Sequence, residues 1–361
     1  MTKTLKAGIC YLMALLSFVM VRILSCYGVF SGFTGFVGDL KLTLLIQIIC
    51  LIIIPLSCYK LFSKTTLKQD FKDFGFTKIS NNTIFLCIIL GIFAYILNVC
   101  FSTFWSFFLV LVGYAPQSSG VSIPYTSIKD LIISLISTAF LPAFCEEFLH
   151  RGMTQCLLKE DKSYVFSVII TSILFGLFHL NIYQTGYAAF LGLLMGFLAV
   201  FSKSIYPAMI IHFMNNAINV FINFLYDMSP FFKSLLVSFE KFFSSINGIF
   251  LIIFVIIFTV LILFMCYIVF RIFIKIIKNE QLINYDYSTT DISLSILLSD
   301  KEKKSIKDIY LLEKINKIKY ILKQTFPKNN NKLEFKDYIT LATAIFMSTL
   351  ITIFTLIWGI L

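Results

Sequence analysis

Three short polar groups interrupt an otherwise apolar stretch between Phe144 and Asn216, and they decide how this chain is organised. They are Cys145-Glu146-Glu147-Phe148-Leu149-His150-Arg151, Phe175-Gly176-Leu177-Phe178-His179 and His212-Phe213-Met214-Asn215-Asn216. The residues around them are apolar enough to lie in a membrane, where an ionisable side chain costs about 2.5–3.5 kcal/mol on insertion scales. Ionisable residues kept at that cost are functional candidates by default. The sequence therefore predicts that the chemistry is concentrated in this stretch.

The whole chain has the composition of an integral membrane protein. Of its 361 residues, 58% are hydrophobic and only 14% are charged, whereas ordinary globular domains are about 25% charged. Crossing the hydrocarbon core takes about 20 apolar residues in a helix. Such runs predict an all-α, polytopic transmembrane helix bundle of about eight or nine spans, near 7–27, 42–62, 83–105, 127–150, 164–180, 182–201, 205–226, 248–270 and 339–360.

The net charge of +11 indicates an orientation in the membrane and not a nucleic-acid partner. If the nine spans alternate from a cytoplasmic N-terminus, 25 of the 30 basic residues lie inside, four lie outside and Arg22 lies within a span. Cytoplasmic loops typically carry such an excess of Lys and Arg, which also contact the anionic lipid surface. We therefore expect a multi-pass protein of the cell membrane with a cytoplasmic N-terminus and no nucleic-acid binding. The nine cysteines include no C-x-x-C pair, so we expect no disulfide framework.

The spans and loops divide the chain into five predicted parts. The first, residues 1–126, holds N-terminal transmembrane helices that we expect to shield the later helices from lipid and to carry no chemistry. The others are a catalytic helical core at 127–226, an outer loop and transmembrane helix at 227–277, a cytoplasmic basic segment at 278–337 and a C-terminal transmembrane helix at 338–361. Apolar residues at helical intervals over 300–324 indicate an amphipathic helix that lies on the inner leaflet or packs on the bundle.

Helical spacing assigns roles to the polar residues of the fourth span. Glu147 and Arg151 are four residues apart, so they share a helix face and can pair, with the acid N-terminal to the base. Glu146 points about 100° away and is free to face a cavity. Pro142, one turn earlier, predicts a local kink. His150 lies four residues from Glu146 and either touches it or is solvated near the membrane surface.

The fifth and seventh spans supply imidazole rings and an amide. His179 follows Phe175 by four residues, so the phenyl ring can pack over the imidazole, and His212 and Asn216 share one face of a helix. A desolvated Glu146 suits a base that takes a proton from water. His179, or His212 with Asn216, could then donate hydrogen bonds to the developing oxyanion. These groups converge only if the fourth span is long and the fifth begins deep in the membrane.

In this order on the fourth, fifth and seventh spans, the three motifs resemble those of the CAAX-protease and bacteriocin-processing family, which includes the Ras-converting CAAX endopeptidases. The residues that carry the resemblance are Glu146-Glu147…Arg151, Phe175…His179 and His212…Asn216. It implies that Glu146 activates water, that Glu147 and Arg151 support it, and that His179, His212 and Asn216 complete the site. Members are often described as metalloproteases. Zinc held by His179, His212 and a carboxylate, or a reaction without metal, fits these residues.

The sequence thus predicts a glutamate-dependent intramembrane endopeptidase that acts on a peptide or a membrane-anchored substrate, in bacteriocin or peptide processing or in self-immunity. Its Lys-, Asn-, Ile- and Phe-rich composition is typical of an AT-rich bacterium, where prenylated CAAX tails are not expected. The alternative is a non-catalytic immunity or scaffold protein that binds a peptide or a membrane partner. A transporter is disfavoured because the hydropathy pattern shows no internal repeat. A thiol protease built on Cys145 is disfavoured because no spacing positions a histidine to activate it. The oligomeric state is left open.

Overall fold

The computed structural model describes residues 1–114, 123–245, 248–283 and 334–360. Across these ranges the regular secondary structure is helical, and eight of the helices are long and apolar enough to cross a membrane. The predicted all-α, multi-pass transmembrane bundle is therefore confirmed. The amphipathic helix predicted over 300–324 lies outside the described residues.

Eleven helices follow one another in the described ranges. They are α1 (Lys3–Cys26), α2 (Gly35–Leu61), α3 (Leu67–Asp73), α4 (Asn81–Leu111), α5 (Ile128–Asp161), α6 (Tyr164–Phe178), α7 (Ile182–Ser202), α8 (Tyr206–Met228), α9 (Pro230–Ser245), α10 (Gly248–Ile283) and α11 (Phe335–Ile360). Serines fix where three of them begin, because the side chains of Ser80, Ser127 and Ser163 accept hydrogen bonds from the backbone N–H groups of the first turn of α4, α5 and α6.

Two predicted elements differ from the observed ones, because one span is shorter and the outer loop contains a helix. Helix α6, predicted as the span 164–180, has 15 residues, or about 22 Å at 1.5 Å per residue, which is shorter than the roughly 30 Å of a full crossing. Within the predicted outer loop, Pro230–Ser245 forms a helix that exposes Phe231, Phe239 and Phe242.

Three segments of the described chain are wound as π-helix. One is Leu45–Ile53 in α2, and the other two are Leu135–Phe140 and Phe148–Gln155 in α5. Pro55 and Pro142 lie two residues after the ends of the first two segments. A proline has no N–H and its ring crowds the carbonyl four residues earlier, so a wider turn before it relieves the clash. The kink predicted at Pro142 is therefore a change of winding, of a kind that is often found at functional sites.

Helix α6 lies between two apolar clusters. Its residues Leu174 and Phe178 pack in a cluster with buried side chains of α1, α2 and α5, whereas Phe175 packs in a second cluster with α4, α7 and α8. The ends of α1 and α5 are joined by Asp161, whose Oδ2 accepts hydrogen bonds from the backbone N–H (2.7 Å) and the hydroxyl (3.0 Å) of Thr4. The N-terminal helix is thus fastened directly to the predicted catalytic core.

Candidate active site

Helices α5 and α6 form an antiparallel pair whose register sets the depth of His179. Thr171 donates a hydrogen bond to Oε1 of Gln155 at 3.0 Å, and the guanidinium of Arg151 lies 4.4 Å from the centre of the Phe175 ring. One further turn in the same direction brings His179 to the level of the two glutamates. Helix α5 has 34 residues, so the long fourth span that convergence requires is present.

Glu147 and Arg151 form the predicted ion pair, and it is buried. Nη1 of Arg151 donates to Oε1 of Glu147 at 2.9 Å, and both side chains have 0% exposure. Nδ1 of His212 lies 2.9 Å from the same carboxylate oxygen, and Nη2 of Arg151 donates to the Gly192 carbonyl at 3.1 Å. These bonds fasten α5 to both α7 and α8.

Two glycines allow α7 to approach α5 closely. A Cβ on Gly192 would lie 3.1 Å from Nη2 of Arg151 and 3.2 Å from Cα of Ser172, and one on Gly196 would lie 3.1 Å from Oε1 of Gln155. Because no side chain covers them, both glycine carbonyls accept hydrogen bonds from α5, that of Gly196 from Nε2 of Gln155 at 2.8 Å. Small residues at a helix interface let the two backbones approach closely in this way.

The phenyl ring of Phe175 separates three imidazole rings. Its centre lies 5.1 Å from that of His150, 5.4 Å from that of His179 and 5.5 Å from that of His212, and each pair of rings is nearly perpendicular. The four-residue spacing predicted only the contact with His179. Since the Arg151 guanidinium lies over the same ring, Phe175 packs against the cation as well as the three histidines.

Glu146 faces a cavity of about 860 Å³, a size typical of ligand sites. The side chain is half-buried, as its rotation away from Glu147 predicts. Its Oε1 accepts a hydrogen bond from Nε2 of Gln47 on α2 at 2.9 Å. The remaining lining combines polar and apolar side chains, namely Phe18, Arg22, Thr43, Ile46, Tyr114, Phe178, His179, Leu180, Asn181, Gln184, Phe354 and Thr355.

His179 presents a hydrogen-bond acceptor when its ring is neutral. Its Nδ1 lies 3.0 Å from the carbonyl oxygen of Phe175, and a carbonyl only accepts, so Nδ1 carries the hydrogen and Nε2 the lone pair. No described residue is hydrogen-bonded to Nε2. The next residue, Leu180, has a φ of 51°, in the left-handed region that leucine rarely adopts. The turn is held from α4, where Nε1 of Trp105 donates to the Ile182 carbonyl at 2.9 Å.

His150 is fully buried, so the prediction of a solvated side chain near the membrane surface is wrong. Helix α5 continues to Asp161, and His150 therefore lies well inside the bundle. The other predicted position, in contact with Glu146, is the observed one. Nδ1 of His150 donates to the Glu146 carbonyl at 2.8 Å, and Nε2 lies 3.4 Å from the Tyr11 hydroxyl, which donates to the Leu174 carbonyl at 3.0 Å.

The structure brings Glu146 and His179 to one cavity but leaves His212 and Asn216 outside its lining. His212 is buried behind the cavity wall against Glu147. Nδ2 of Asn216 donates to the carbonyl of Thr138 in the first π segment of α5, at 3.0 Å. Two of the four groups expected around one water molecule therefore meet there, and the other two join α8 to α5.

The residues suggested as zinc ligands, His179 and His212, both contact the Phe175 ring, and their Nδ1 atoms are bonded to different oxygens, the Phe175 carbonyl and the Glu147 carboxylate. Within the described ranges, no group of three or more His, Cys, Asp or Glu side chains is arranged to hold a metal ion. The donor set there does not fit a zinc site.

Helices α1 and α2 contribute directly to the site, so the prediction that residues 1–126 only shield the core is wrong. Tyr11 contacts His150, and Gln47 contacts Glu146. A second cavity of about 630 Å³ adjoins the first, and Arg22, Thr43 and Ile46 line both. No ion pair joins Arg22 to any described residue. In the sequence, Gln47 and Arg22 each stand out as a polar side chain within an apolar span.

Residues 128–218 match the model of one protein family, described as type II CAAX prenyl endopeptidase Rce1-like. No curated protein and no solved structure matches the chain. The matched segment runs from the start of α5 into α8. It contains all three predicted motifs and excludes Gln47. The match confirms the resemblance that the motifs predicted: over this segment the chain is similar to intramembrane CAAX-type endopeptidases, which supports a membrane-embedded protease.

Proposed function

We propose that this membrane protein is an endopeptidase that hydrolyses a peptide bond with Glu146 as the base. The observation that carries the proposal is that Glu146 and His179, from different helices, line the same cavity. The family match over residues 128–218 supports the same activity. The buried pair of Glu147 and Arg151 leaves Glu146 as the carboxylate that faces the cavity.

Hydrolysis requires a water molecule activated beside the carbonyl carbon of the substrate. Glu146 takes one proton from this water, and the oxygen attacks the carbonyl carbon. The unprotonated Nε2 of His179 accepts a hydrogen bond from the other O–H of the water, which stays bonded to the oxygen, and so orients the attacking lone pair. Glu146 then gives its proton to the leaving nitrogen, and the C–N bond breaks to release a carboxylic acid and an amine. Proton transfer by a positioned side chain contributes about 10²- to 10⁴-fold in rate.

Glu147, Arg151 and His212 act as positioning residues in this mechanism. Their bonds fix the rotation of α5 against α7 and α8, and that rotation directs Glu146 into the cavity. Asn216 acts on the same interface through the Thr138 carbonyl. Direct stabilisation of the oxyanion by His212 or Asn216, which the family resemblance implies, stays a prediction.

The cavity favours a peptide substrate with an anionic group close to the bond that is cut. Phe18 stacks on Phe178, the neighbour of His179, with ring centres 4.8 Å apart, and Arg22 lies about one turn further along α1. An extended peptide covers about 3.3–3.6 Å per residue, so a carboxylate two or three residues beyond the cut bond reaches Arg22. This supports cleavage near a C-terminus.

We place the protein in the cell membrane with a cytoplasmic N-terminus, as the distribution of basic residues predicts. Its biological role in this proposal is the processing of an exported peptide or self-immunity to a bacteriocin. An AT-rich bacterial composition favours an unmodified peptide over a prenylated tail.

The test compares Glu146→Gln with Glu160→Gln, the same chemical change on the same helix. Glu160 forms a surface ion pair with Lys3, its side chain 44% exposed, outside the cavity. Purified variants in phosphatidylglycerol–phosphatidylethanolamine vesicles are assayed with internally quenched peptides that have a free C-terminal carboxylate. We expect Glu146→Gln to lose at least about 100-fold in turnover with normal membrane assembly, and Glu160→Gln to match the wild type. Unchanged turnover or an unchanged immunity phenotype in Glu146→Gln would reject the enzyme and favour a non-catalytic binding protein.

A further inference from the structure

Gln47 contacts the carboxylate of Glu146 from a part of the chain outside the family match. Its Nε2 lies 2.9 Å from Oε1 of Glu146, and its side chain is 7% exposed on the wall of the cavity. The match begins at residue 128, so neither the motifs nor the family description assigns a role to this glutamine.

The amide oxygen of Gln47 offers no reason for an amide at this position, because it accepts no hydrogen bond from the described residues. The π segment Leu45–Ile53 is otherwise made only of Leu, Ile and Cys. The carbonyl oxygen Oε1 of Gln47 is buried without a hydrogen-bond partner among the described residues. Such an unpaired acceptor costs about 1–3 kcal/mol, which a leucine would avoid. The feature that the amide supplies is its contact with Glu146.

The neighbouring polar groups do not replace this contact. Arg151 is bonded to Glu147 and Gly192, and His150 donates to the main-chain carbonyl of Glu146. In the described part of the chain, Gln47 is the hydrogen-bond donor to the Glu146 carboxylate. The titratable and charged groups around this carboxylate are Tyr11 and Arg22 on α1, Tyr114 after α4, Cys145, Glu147 and Arg151 on α5, and His179 after α6.

We propose that Gln47 is a positioning residue for the catalytic base. Its N–H holds Oε1 of Glu146, so that Oε2 is directed to the water, and it stabilises the ionised carboxylate because an amide donor bonds most strongly to the charged form. The orientation of the amide follows from charge, since the opposite orientation would place two oxygens in contact. This inference rests on the proposed function and adds α2 to the site.

The first test is Gln47→Leu, which removes the donor and keeps a similar volume. We expect kcat to fall about 10- to 100-fold, the range that corresponds to a hydrogen bond to a charged group, with little change in KM. The acid limb of the pH–rate profile moves to higher pH because the ionised carboxylate loses a donor. The stability to unfolding stays level or rises, since a buried unpaired acceptor is removed as well.

Gln47→Glu provides a conservative rescue with an opposite pH response. When protonated, the carboxyl group introduced by this substitution donates to the Glu146 carboxylate as the amide does, whereas two ionised carboxylates in contact repel each other. The activity of this variant should approach that of the wild type at low pH and fall as the pair loses its shared proton. Gln47→Leu shows no such recovery.

Cys50→Ala is the matched control. Cys50 is buried in the same π segment but faces Ser17 on α1 and does not contact Glu146, so this variant disturbs the packing of the segment alone. Its kcat and pH profile should remain those of the wild type. An equal effect in Cys50→Ala and Gln47→Leu would overturn the inference, as would a loss of activity that only parallels a loss of stability.

An infrared titration tests the same contact without a substrate. The protonated-carboxyl band that Glu146→Gln removes should appear at higher pH in Gln47→Leu than in the wild type, and an unmoved band overturns the inference. Failure of the proposed function has a different result, unchanged turnover in Glu146→Gln. An inactive Glu146→Gln together with an unmoved acid limb in Gln47→Leu rejects the positioning role alone.

Discussion

Replacing Arg151 by Met should destabilise the protein strongly, and a second change at Glu147 should restore most of the loss. Arg151→Met leaves Glu147 without its cation at 0% exposure, and an uncompensated buried charge costs about 3–5 kcal/mol. The native pair has one direct hydrogen bond, and Nε of Arg151 and Oε2 of Glu147 have no partner among the described residues. Such a pair recovers little more than its own desolvation cost.

In Glu147→Gln/Arg151→Met the new amide oxygen still accepts from Nδ1 of His212, and no buried charge remains. We therefore expect the double variant to lie within about 1 kcal/mol of the wild type, so that Glu147→Gln restores about 2–4 kcal/mol when it is added to Arg151→Met. The assay is equilibrium unfolding of the four proteins of the cycle in mixed detergent micelles. The reasoning is refuted if Arg151→Met costs less than about 1 kcal/mol or if the double variant is no more stable than that single variant.

Three further predictions concern the surroundings of the site. Gly192→Ala should destabilise the protein by about 1–3 kcal/mol and lower turnover, because the new Cβ meets the Ser172 backbone at 3.2 Å. Gly32→Ala is the control, since a Cβ there has nothing within 4 Å. Equal unfolding curves for the two variants would contradict the prediction. Trp105→Phe should reduce kcat more than stability, because it removes the donor to the Ile182 carbonyl that holds the turn after α6; an unchanged kcat would count against this anchor. Activity should survive strong chelation, because no group of metal ligands is found in the described ranges. The expectation is wrong if the chelator abolishes activity, added zinc restores it, and elemental analysis finds stoichiometric metal.

The spans and the main ion pair could be predicted because local rules determine them. A bilayer requires long apolar helices, so hydropathy located the eight membrane-spanning candidates, although the predicted span 127–150 ends 11 residues before α5 does at Asp161. The contact of Glu147 with Arg151 follows from four-residue spacing on one helix. These features depend on neighbours in the sequence or on the solvent.

The contacts between helices could not be predicted in the same way. Gln47 and Glu146 are 99 positions apart, and periodicity within a span carries no information about which span lies beside it. His212 was expected beside the water, but its position against Glu147 depends on the rotation of α5 and α8. The π segments change that rotation, and hydropathy does not reveal them.

Because α5 contains two π segments, the depth of a residue in the membrane does not by itself determine the direction around the helix axis in which its side chain points. An α-helix advances 1.5 Å and turns 100° per residue, so an unbroken helix links each depth to one azimuth. A π turn absorbs an extra residue, and the α-helical pieces Ile128–Ser134, Leu141–Glu147 and Cys156–Asp161 are therefore rotated with respect to the phase of one regular helix. Moving a π turn by one position would swing Glu146 around the axis while it keeps its distance from both lipid surfaces. Single-residue insertions and deletions in α5 can thus redirect the same carboxylate toward differently shaped substrates in related chains.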